Sequence, residues 1–308
     1  MGDKIAIIDL GTNTFHLLLA QSHNRQYKIL LQERIPVKIG LGGINSNIIT
    51  DAGIVRAIEA MKNFKIRLDQ NSISKVYAFG TSALRNASNG KEVAAKIESE
   101  TGISIRIISG DEEADYIYEG VRTAVNMKEI SLIVDIGGGS VEFIIGNQEE
   151  ILWKQSFEIG AQRLLERFHQ YDPIPVNEIK ELKSFLKLSL LTLSGAIEKY
   201  KPQVLVGSSG TFDTLSEIHC IRNGLHYDPV APETPLSFKS FHEIFNELII
   251  KNRAERLQIA GMIEMRVDMI VVACCLIDYL LDTHKAFQGL RVSSYSLKEG
   301  VLAKLFQH

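Results

Sequence analysis

Two short segments of this chain carry residues whose types and spacing suit the binding of phosphate. In the first, IAIIDLGTNTFHLLLA at residues 5–20, an apolar run ends in Asp9, and Gly11, Thr12, Asn13 and Thr14 follow. In the second, LIVDIGGGSVEFIIG at residues 132–146, Asp135 is followed by Gly137, Gly138, Gly139 and Ser140. Backbone N–H groups in such turns wrap phosphate oxygens, and two carboxylates beside them can hold a hydrated Mg²⁺ that offsets the remaining charge. Asp9 and Asp135 are therefore candidate metal ligands. An isolated Asp before a glycine turn is usually a turn-former. Two copies with matching flanking strands, 126 residues apart, carry the functional reading instead.

A third turn of the same chemical type, Gly207, Ser208, Ser209, Gly210 and Thr211, closes the short apolar run 203–206. Ligands of open α/β sheets bind at the C-terminal ends of strands, where N–H groups and helix N-termini point outward. Three such turns predict one shared phosphate site. Glu112 and Glu113 stand at a predicted helix start, where they complement the helix dipole or, equally, supply a general base for an attacking water. Arg85, after Gly80-Thr81-Ser82-Ala83-Leu84, reads either as a solvated loop cation or as a guanidinium fork for phosphate oxygens. Glu142, two residues past Ser140 on a strand, is costly to bury without a partner. His16 stands seven residues after Asp9, as Glu142 does after Asp135, and reads as a satisfied structural histidine.

The repeat predicts an α/β fold of two related lobes around a central phosphate-binding cleft, and the rest of the chain supplies their elements. Apolar spacing predicts helices at 51–69, starting from Thr50, and at 90–101, with strands at 75–79 and 103–108 between and after them. A helix over 111–124 is capped by Ser109. In the second half a strand at 151–157 precedes a long amphipathic helix at 177–199, and the proline-bearing stretch 225–236 is expected to be a loop. Helices at 238–251 and 262–282 follow, with Met262, Met265 and Met269 as packing residues of the latter. A strand at 290–292 and a helix at 296–306 close the chain. The lobes are expected over 1–124 and 125–295, with 296–308 returning to the first, and closing about 124–129 and 292–296.

The 308 residues suffice for two domains at about 150 residues each. With 45% hydrophobic and 23% charged residues and seven prolines, composition excludes a mainly disordered chain. A net charge of −3 without a long basic run argues against duplex nucleic acid as the partner, while leaving room for a local cationic cleft that takes a small polyanion. The apolar stretch 269–277 is well short of the ~18 residues of a membrane span. The first residues lack a small-residue cleavage site, so a cytoplasmic protein without a membrane partner is expected. Cys220, Cys274 and Cys275 have no metal-ligand spacing and are expected to be reduced thiols in the core.

The ordered segments DLGTNTFHLL (9–18), GTSALRNA (80–87), SGDEEA (109–114), DIGGGSVE (135–142), GSSGT (207–211) and SYSLKEGVL (294–302) resemble those of the exopolyphosphatase and guanosine pentaphosphate phosphohydrolase family. That family belongs to the actin, sugar kinase and heat-shock chaperone superfamily, with two ribonuclease-H-like lobes. The resemblance spans essentially the whole chain. It implies Mg²⁺-assisted hydrolysis of a terminal phosphoanhydride, in polyphosphate or in guanosine pentaphosphate, and a homodimer through the second lobe. By motif, Glu113 corresponds to the catalytic base, with Glu142 expected beside it. Asp9, Thr12, Asn13 and Thr14 match the first phosphate loop, and Asp135, Gly137, Ser140 and Glu142 the second. Arg85 matches a phosphate-binding arginine, and 207–211 the place where nucleotide-binding relatives hold adenosine or phosphate.

Two departures stand out. Lys298 occupies the place where the family often has Arg, which keeps the charge without the fork. Longer members also carry a further helical region, so processivity on long chains is not expected here. Competing readings are an ATPase or kinase of the same superfamily and a non-catalytic sensor of polyphosphate or guanosine tetra- and pentaphosphate.

Overall fold

The computed structural model describes residues 3–23 and 26–306; the extreme ends of the predicted first lobe and last helix, 1–2 and 307–308, lie outside them. The chain begins with β1 (Lys4–Leu10), β2 (Thr14–His23) and β3 (Gln26–Pro36), followed by α1 (Asp51–Gln70), β4 (Lys75–Gly80), α2 (Ser82–Asn86), α3 (Gly90–Thr101), β5 (Ile105–Ile107) and α4 (Gly110–Ala124). Three antiparallel strands and two parallel ones form a sheet in the order β3-β2-β1-β4-β5. Local chemistry sets the helix starts. The Thr50 hydroxyl accepts from the Gly53 N–H at 3.2 Å, and Ser109 accepts from Glu112 N–H at 3.1 Å.

The second half repeats the plan with β6 (Ser131–Ile136), β7 (Val141–Gly146), β8 (Ile151–Phe157), α5 (Ala161–Phe168), α6 (Val176–Ser189), α7 (Leu191–Tyr200), β9 (Val204–Ser208) and α8 (Gly210–Arg222). Then come β10 (Glu233–Pro235), α9 (Phe238–Ile250), α10 (Arg253–Arg256), α11 (Ile270–Thr283), β11 (Gly289–Ser293) and α12 (Leu297–Phe306). Its sheet runs β8-β7-β6-β9-β11, the order of the first sheet, with β10 added on the β11 edge. The fold is therefore the two-lobed α/β arrangement expected from the internal repeat.

Strand alternation sorts the apolar residues into three cores. Ala6, Ile8 and Leu10 of β1 and Phe15, Leu17 and Leu19 of β2 face α1 and α3 on the outside of the first sheet. Leu132, Val134, Val141, Phe143 and Ile145 face the helices of the second lobe. The opposite faces, Ile5, Ile7 and Leu18 in one lobe and Ile133, Ile144 and Val206 in the other, meet a shared layer made by α4 and α12. These two helices cross on glycines. A Cβ on Gly300 would stand 1.7 Å from the Tyr116 carbonyl oxygen, and one on Gly120 would stand 2.1 Å from that of Ser296. Residues C-terminal to α4 lead into the second lobe, and α12 packs against α4 and β1 of the first.

Several elements differ from the sequence expectation. The long helix at 177–199 is two helices that break at Leu190, whose ψ of 22° leaves the helical range. The helix expected from 262 begins only at Ile270. Residues 262–269 form successive turns after Gly261 at φ +92, pinned where Arg256 Nε donates to the Val267 carbonyl at 3.1 Å. Met262 and Met265 are thus not on a helix. The expected loop 225–236 contributes β10, and β3 completes the first sheet without having been read as a strand. Cys220, Cys274 and Cys275 are free and buried. No described helix is long and apolar enough to cross a membrane.

Candidate active site

The two hairpins deliver their acids to the same side. In β1, Asp9 shares the parity of Ile5 and Ile7, so its carboxylate faces the other lobe; its antiparallel partner on β2 is His16. In β6, Asp135 shares the parity of Ile133, and its partner on β7 is Glu142. The seven-residue offset read from the sequence is this register. Parallel pairing sets Asp135 beside Ser208 at the end of β9, which brings the third turn to the same edge.

Between the lobes these loops enclose a cavity of about 130 Å³. One water occupies roughly 30 Å³ of liquid, so the space suits a small polyatomic group. The second loop lies directly on the first. A Cβ on Gly138 would meet the Asn13 amide at 2.4 Å, and one on Gly139 would meet Ser82 Oγ at 2.4 Å and Thr12 Oγ1 at 2.6 Å. Only glycine lets the backbone of the second loop approach these side chains this closely. Asn13 is fixed by Nδ2 donating to Met269 Sδ at 2.6 Å, and its Oδ1 is buried without a partner.

Five acids line this cavity, Asp9, Glu113, Asp135, Glu142 and Asp213. Burial pushes Asp9 up to about 7, with the charge of Lys298 opposing and that of Asp135 adding to the rise. Burial likewise raises Glu113 to about 7 against the pull of Arg85. Asp135 is raised by burial although Ser296 Oγ donates to its Oδ2 at 2.6 Å. Glu142, 1% exposed, is held well above the ordinary range by burial and then by the charge of Glu113. Its Oε1 accepts from both Ser140 Oγ and Ser156 Oγ at 2.6 Å. These are the partners that its burial requires.

Arg85, from α2, reaches behind the wall of the cavity. Its Nη1 donates to Glu113 Oε2 at 2.6 Å and to the Ile108 carbonyl at 3.3 Å, while Nη2 points to Ser140 Oγ at 3.5 Å and Glu158 Oε1 at 3.4 Å. Glu112 and Glu113 face opposite ways. Glu112 turns to the surface and pairs with Arg106, whereas Glu113, 8% exposed, faces the cavity from the first turn of α4. Arg85 is a guanidinium engaged with an acid of the cavity, not a solvated loop cation.

The structure brings Asp9, Gly11, Thr12, Asn13, Thr14, Glu113, Asp135, Gly137, Gly138, Gly139, Ser140, Glu142 and Gly210 to the cavity wall. Gly207, Ser208 and Thr211 do not line it. A Cβ on Gly207 would run into the Phe212 ring at 2.1 Å, the Ser208 hydroxyl donates to the Tyr295 carbonyl at 3.2 Å, and Thr211 is buried in α8. Ser209, at φ +71, takes their place on the wall.

Sequence reasoning missed Ser82, Ser296, Asp213, Arg34 and Arg266 as wall residues. Ser82 and Ser296 lay inside motifs already recognised, and Asp213 is the acid in the first turn of α8. Arg266 stands in an irregular segment and gave no local signal. Its Nε is buried without a partner beside Gly210, and a Cβ on that glycine would collide with the guanidinium at 2.1 Å. His16 lines the cavity but is kept neutral, since burial and then Lys298, Arg266 and Arg34 hold its pKa well below 6.5.

The donor set fits a hard cation. Asp9 Oδ1 and Asn13 Oδ1 are buried with no hydrogen-bond partner, and the carboxylates of Asp135, Glu113 and Glu142 line the same cavity. Among the described residues no group of three or more His, Cys, Asp or Glu side chains is placed to hold a metal. Mg²⁺ is characteristically bound by one or two carboxylates, with waters and substrate phosphates completing the shell, so Asp9 and Asp135 offer the set it uses.

A family model described as the Ppx/GppA phosphatase family matches residues 18–308. The fold superposes on the crystal structure of an exopolyphosphatase from Cytophaga hutchinsonii with a TM-score of 0.95, at 43% identity over 99% of this chain and 98% of that one. It superposes on the Ppx/GppA family member from Aquifex aeolicus with a TM-score of 0.79, at 25% identity over 99% and 98%. A Haemophilus influenzae relative is 28% identical over 302 residues, 98% of this chain and 91% of its own length. With this match over nearly its full length, the chain belongs to the Ppx/GppA phosphatase family.

Proposed function

We propose that this protein hydrolyses the terminal phosphoanhydride of inorganic polyphosphate, of guanosine pentaphosphate, or of both, releasing orthophosphate. The observation that carries the reading is the Arg85–Glu113 pair at the edge of a cavity framed by two glycine loops. Phosphoryl transfer asks little covalent chemistry of a protein and much positioning and charge stabilisation. The loop N–H groups hold the terminal phosphoryl oxygens. Glu113, with its pKa near 7, sits where a base can both accept a proton at neutral pH and be recharged. Arg85 fixes its orientation. Water aligned by Glu113 attacks phosphorus opposite the leaving phosphate, and the proton passes to Glu113. Asp9 and Asp135 would hold Mg²⁺, which when bound would supply positive charge to the phosphoryl oxygens.

A chamber of about 680 Å³ adjoins the cavity and shares His16, Arg34, Asp213 and Lys298 with it. Tyr227, Tyr295, Pro229 and Val230 line it. Flat apolar walls of this kind support a nucleoside-bearing substrate beside a plain polyphosphate, since aromatic faces stack on bases.

The test is phosphate release at fixed Mg²⁺ from long polyphosphate, short polyphosphate and guanosine pentaphosphate, comparing wild type with Glu113→Gln. Release from at least one substrate is expected, reduced by about 10²- to 10⁴-fold in the variant, the usual contribution of a general base. Binding without release would replace the reading with that of a sensor. Equal rates would remove Glu113 from the role of base.

A further inference from the structure

The Arg85 guanidinium behind the cavity wall is also engaged by a second acid, and that acid comes from the other lobe. Glu158 follows β8 in the second lobe. Its Oε1 accepts from Arg85 Nη2 at 3.4 Å, and its Oε2 accepts from Ser82 Oγ at 2.8 Å, both in the first lobe. Within its own lobe, Arg163 Nη2 lies 3.4 Å away. The Glu158 side chain is 40% exposed, whereas that of Glu113, on the other branch of Arg85, is 10% exposed. One carboxylate is thus held short and buried, the other long and open to water.

The difference decides what each acid does. Two-pronged guanidinium recognition is spent most effectively on a phosphate or carboxylate that bridges both terminal nitrogens. Nη1 is committed to Glu113, while Nη2 holds only long contacts to Ser140 and Glu158. Ser140 lies on the wall of the cavity, so Nη2 is the branch of Arg85 nearer to it.

We propose that Glu158 is a placeholder carboxylate, occupying the free branch of Arg85 and bridging the lobes through Ser82 until a substrate phosphate displaces it. This inference rests on the reading of the cavity as a phosphate site. Glu158 is a positioning residue that sets ground-state affinity, because its negative charge opposes the incoming polyanion and must yield the arginine to it. Glu166 is the control. It also bridges the lobes, accepting from the Gly42 N–H at 3.1 Å, but it has no contact with Arg85.

The experiment compares wild type, Glu158→Gln and Glu166→Gln in two ways. Steady-state phosphate release from short polyphosphate yields KM and kcat separately, at low and high ionic strength. Calorimetric titration with inorganic phosphate measures binding without turnover. In Glu158→Gln, KM and the phosphate Kd are expected to fall roughly two- to fivefold, the scale of a partly exposed charge interaction, with kcat changing less than KM. The gap from wild type should narrow at high salt, where the Debye length shrinks to about 3 Å at 1 M. Glu166→Gln should match wild type in both readouts. An unchanged or raised KM and Kd in Glu158→Gln overturns the inference, as does an equal fall in Glu166→Gln, which would trace the effect to loosened lobes or to net charge. If no substrate is hydrolysed, the functional reading fails on its own, and the phosphate titration still decides the place of Glu158; phosphate binding by neither form overturns it as well.

Discussion

The two hairpins share a register and differ in what surrounds their acids. On β6 and β7, protein hydroxyls fill the acceptors: Ser296 donates to Asp135, and Ser140 and Ser156 both donate to Glu142. On β1 and β2, Asp9 keeps a buried oxygen without a partner, and the residue opposite is a neutral imidazole. Lys298, Arg34 and Arg266 gather on the first hairpin's side of the cavity. A duplicated scaffold has thus been loaded unequally. The second hairpin is fixed by its own chain, and the first is left with an acceptor for something brought in.

The sharpest way to break this comparison is to remove each aspartate in turn. Asp9→Ala is expected to lose at least ~10²-fold in phosphate release together with any Mg²⁺-induced rise in melting temperature, the signature of lost ligand linkage. Its stability without divalent cation should not fall. Asp135→Ala is expected to lose activity and also about 1–3 kcal/mol of stability, because the part-buried hydrogen bond from the Ser296 hydroxyl is lost. Denaturant melts with chelator present separate the two, and equal destabilisation would erase the contrast.

A smaller effect follows from pH. Asp9 in the folded protein titrates near 7, well above the ordinary 3.8. An acid whose pKa is raised by folding binds its proton more tightly in the folded state. Its stability contribution is therefore complete below pH 4 and is lost as pH rises from 4 through 7. In chelator, Asp9→Asn should remove this loss and melt higher than wild type at pH 8, by roughly 2–4 °C for each kcal/mol recovered. At pH 4 the two should coincide. A wild type that melts higher than the variant at pH 8 would place the Asp9 carboxylate in a favourable pairing that the geometry does not show.

The smallest effects test the partners across the strands. Burial and then the charge of Glu113 hold the Glu142 carboxyl well above the ordinary range, and Glu142→Gln keeps its shape, so the variant should cost less than about tenfold in kcat, far below the loss in a true base. His16→Gln should cost less than about threefold, because a neutral imidazole has no charge to lose. Rate measurements with the two variants rank the hairpins directly. A loss in Glu142→Gln as large as that in Glu113→Gln would move the base to the second hairpin.

Much of this arrangement was legible in the chain because it is written in contiguous, periodic stretches. The duplicated strand, Asp, turn and strand gave both hairpins, and the Ser109 cap placed Glu113 at the start of α4. What was not legible depended on tertiary placement. Glycine spacing marked 207–211 as a third loop, but the packing of Gly207 on Phe212 turned most of it inward. Arg266 reaches the cavity from turns that apolar spacing had assigned to a helix, and Glu158 meets Arg85 only because two lobes close on each other. β3 was missed because an edge strand with one face to solvent carries mixed polar residues that weaken its alternation.

The glycine crossing of α4 and α12 has a mechanical consequence. With Gly300 against the Tyr116 carbonyl and Gly120 against that of Ser296, neither helix can slide past the other without collision. Glu113 opens one of them, and Ser296 and Lys298 stand at the head of the other. The two helices therefore form a single spindle between the sheets. Glu113 and the Ser296 hydroxyl that donates to Asp135 are therefore carried on one unit, and a rotation of one lobe against the other is expected to move them together.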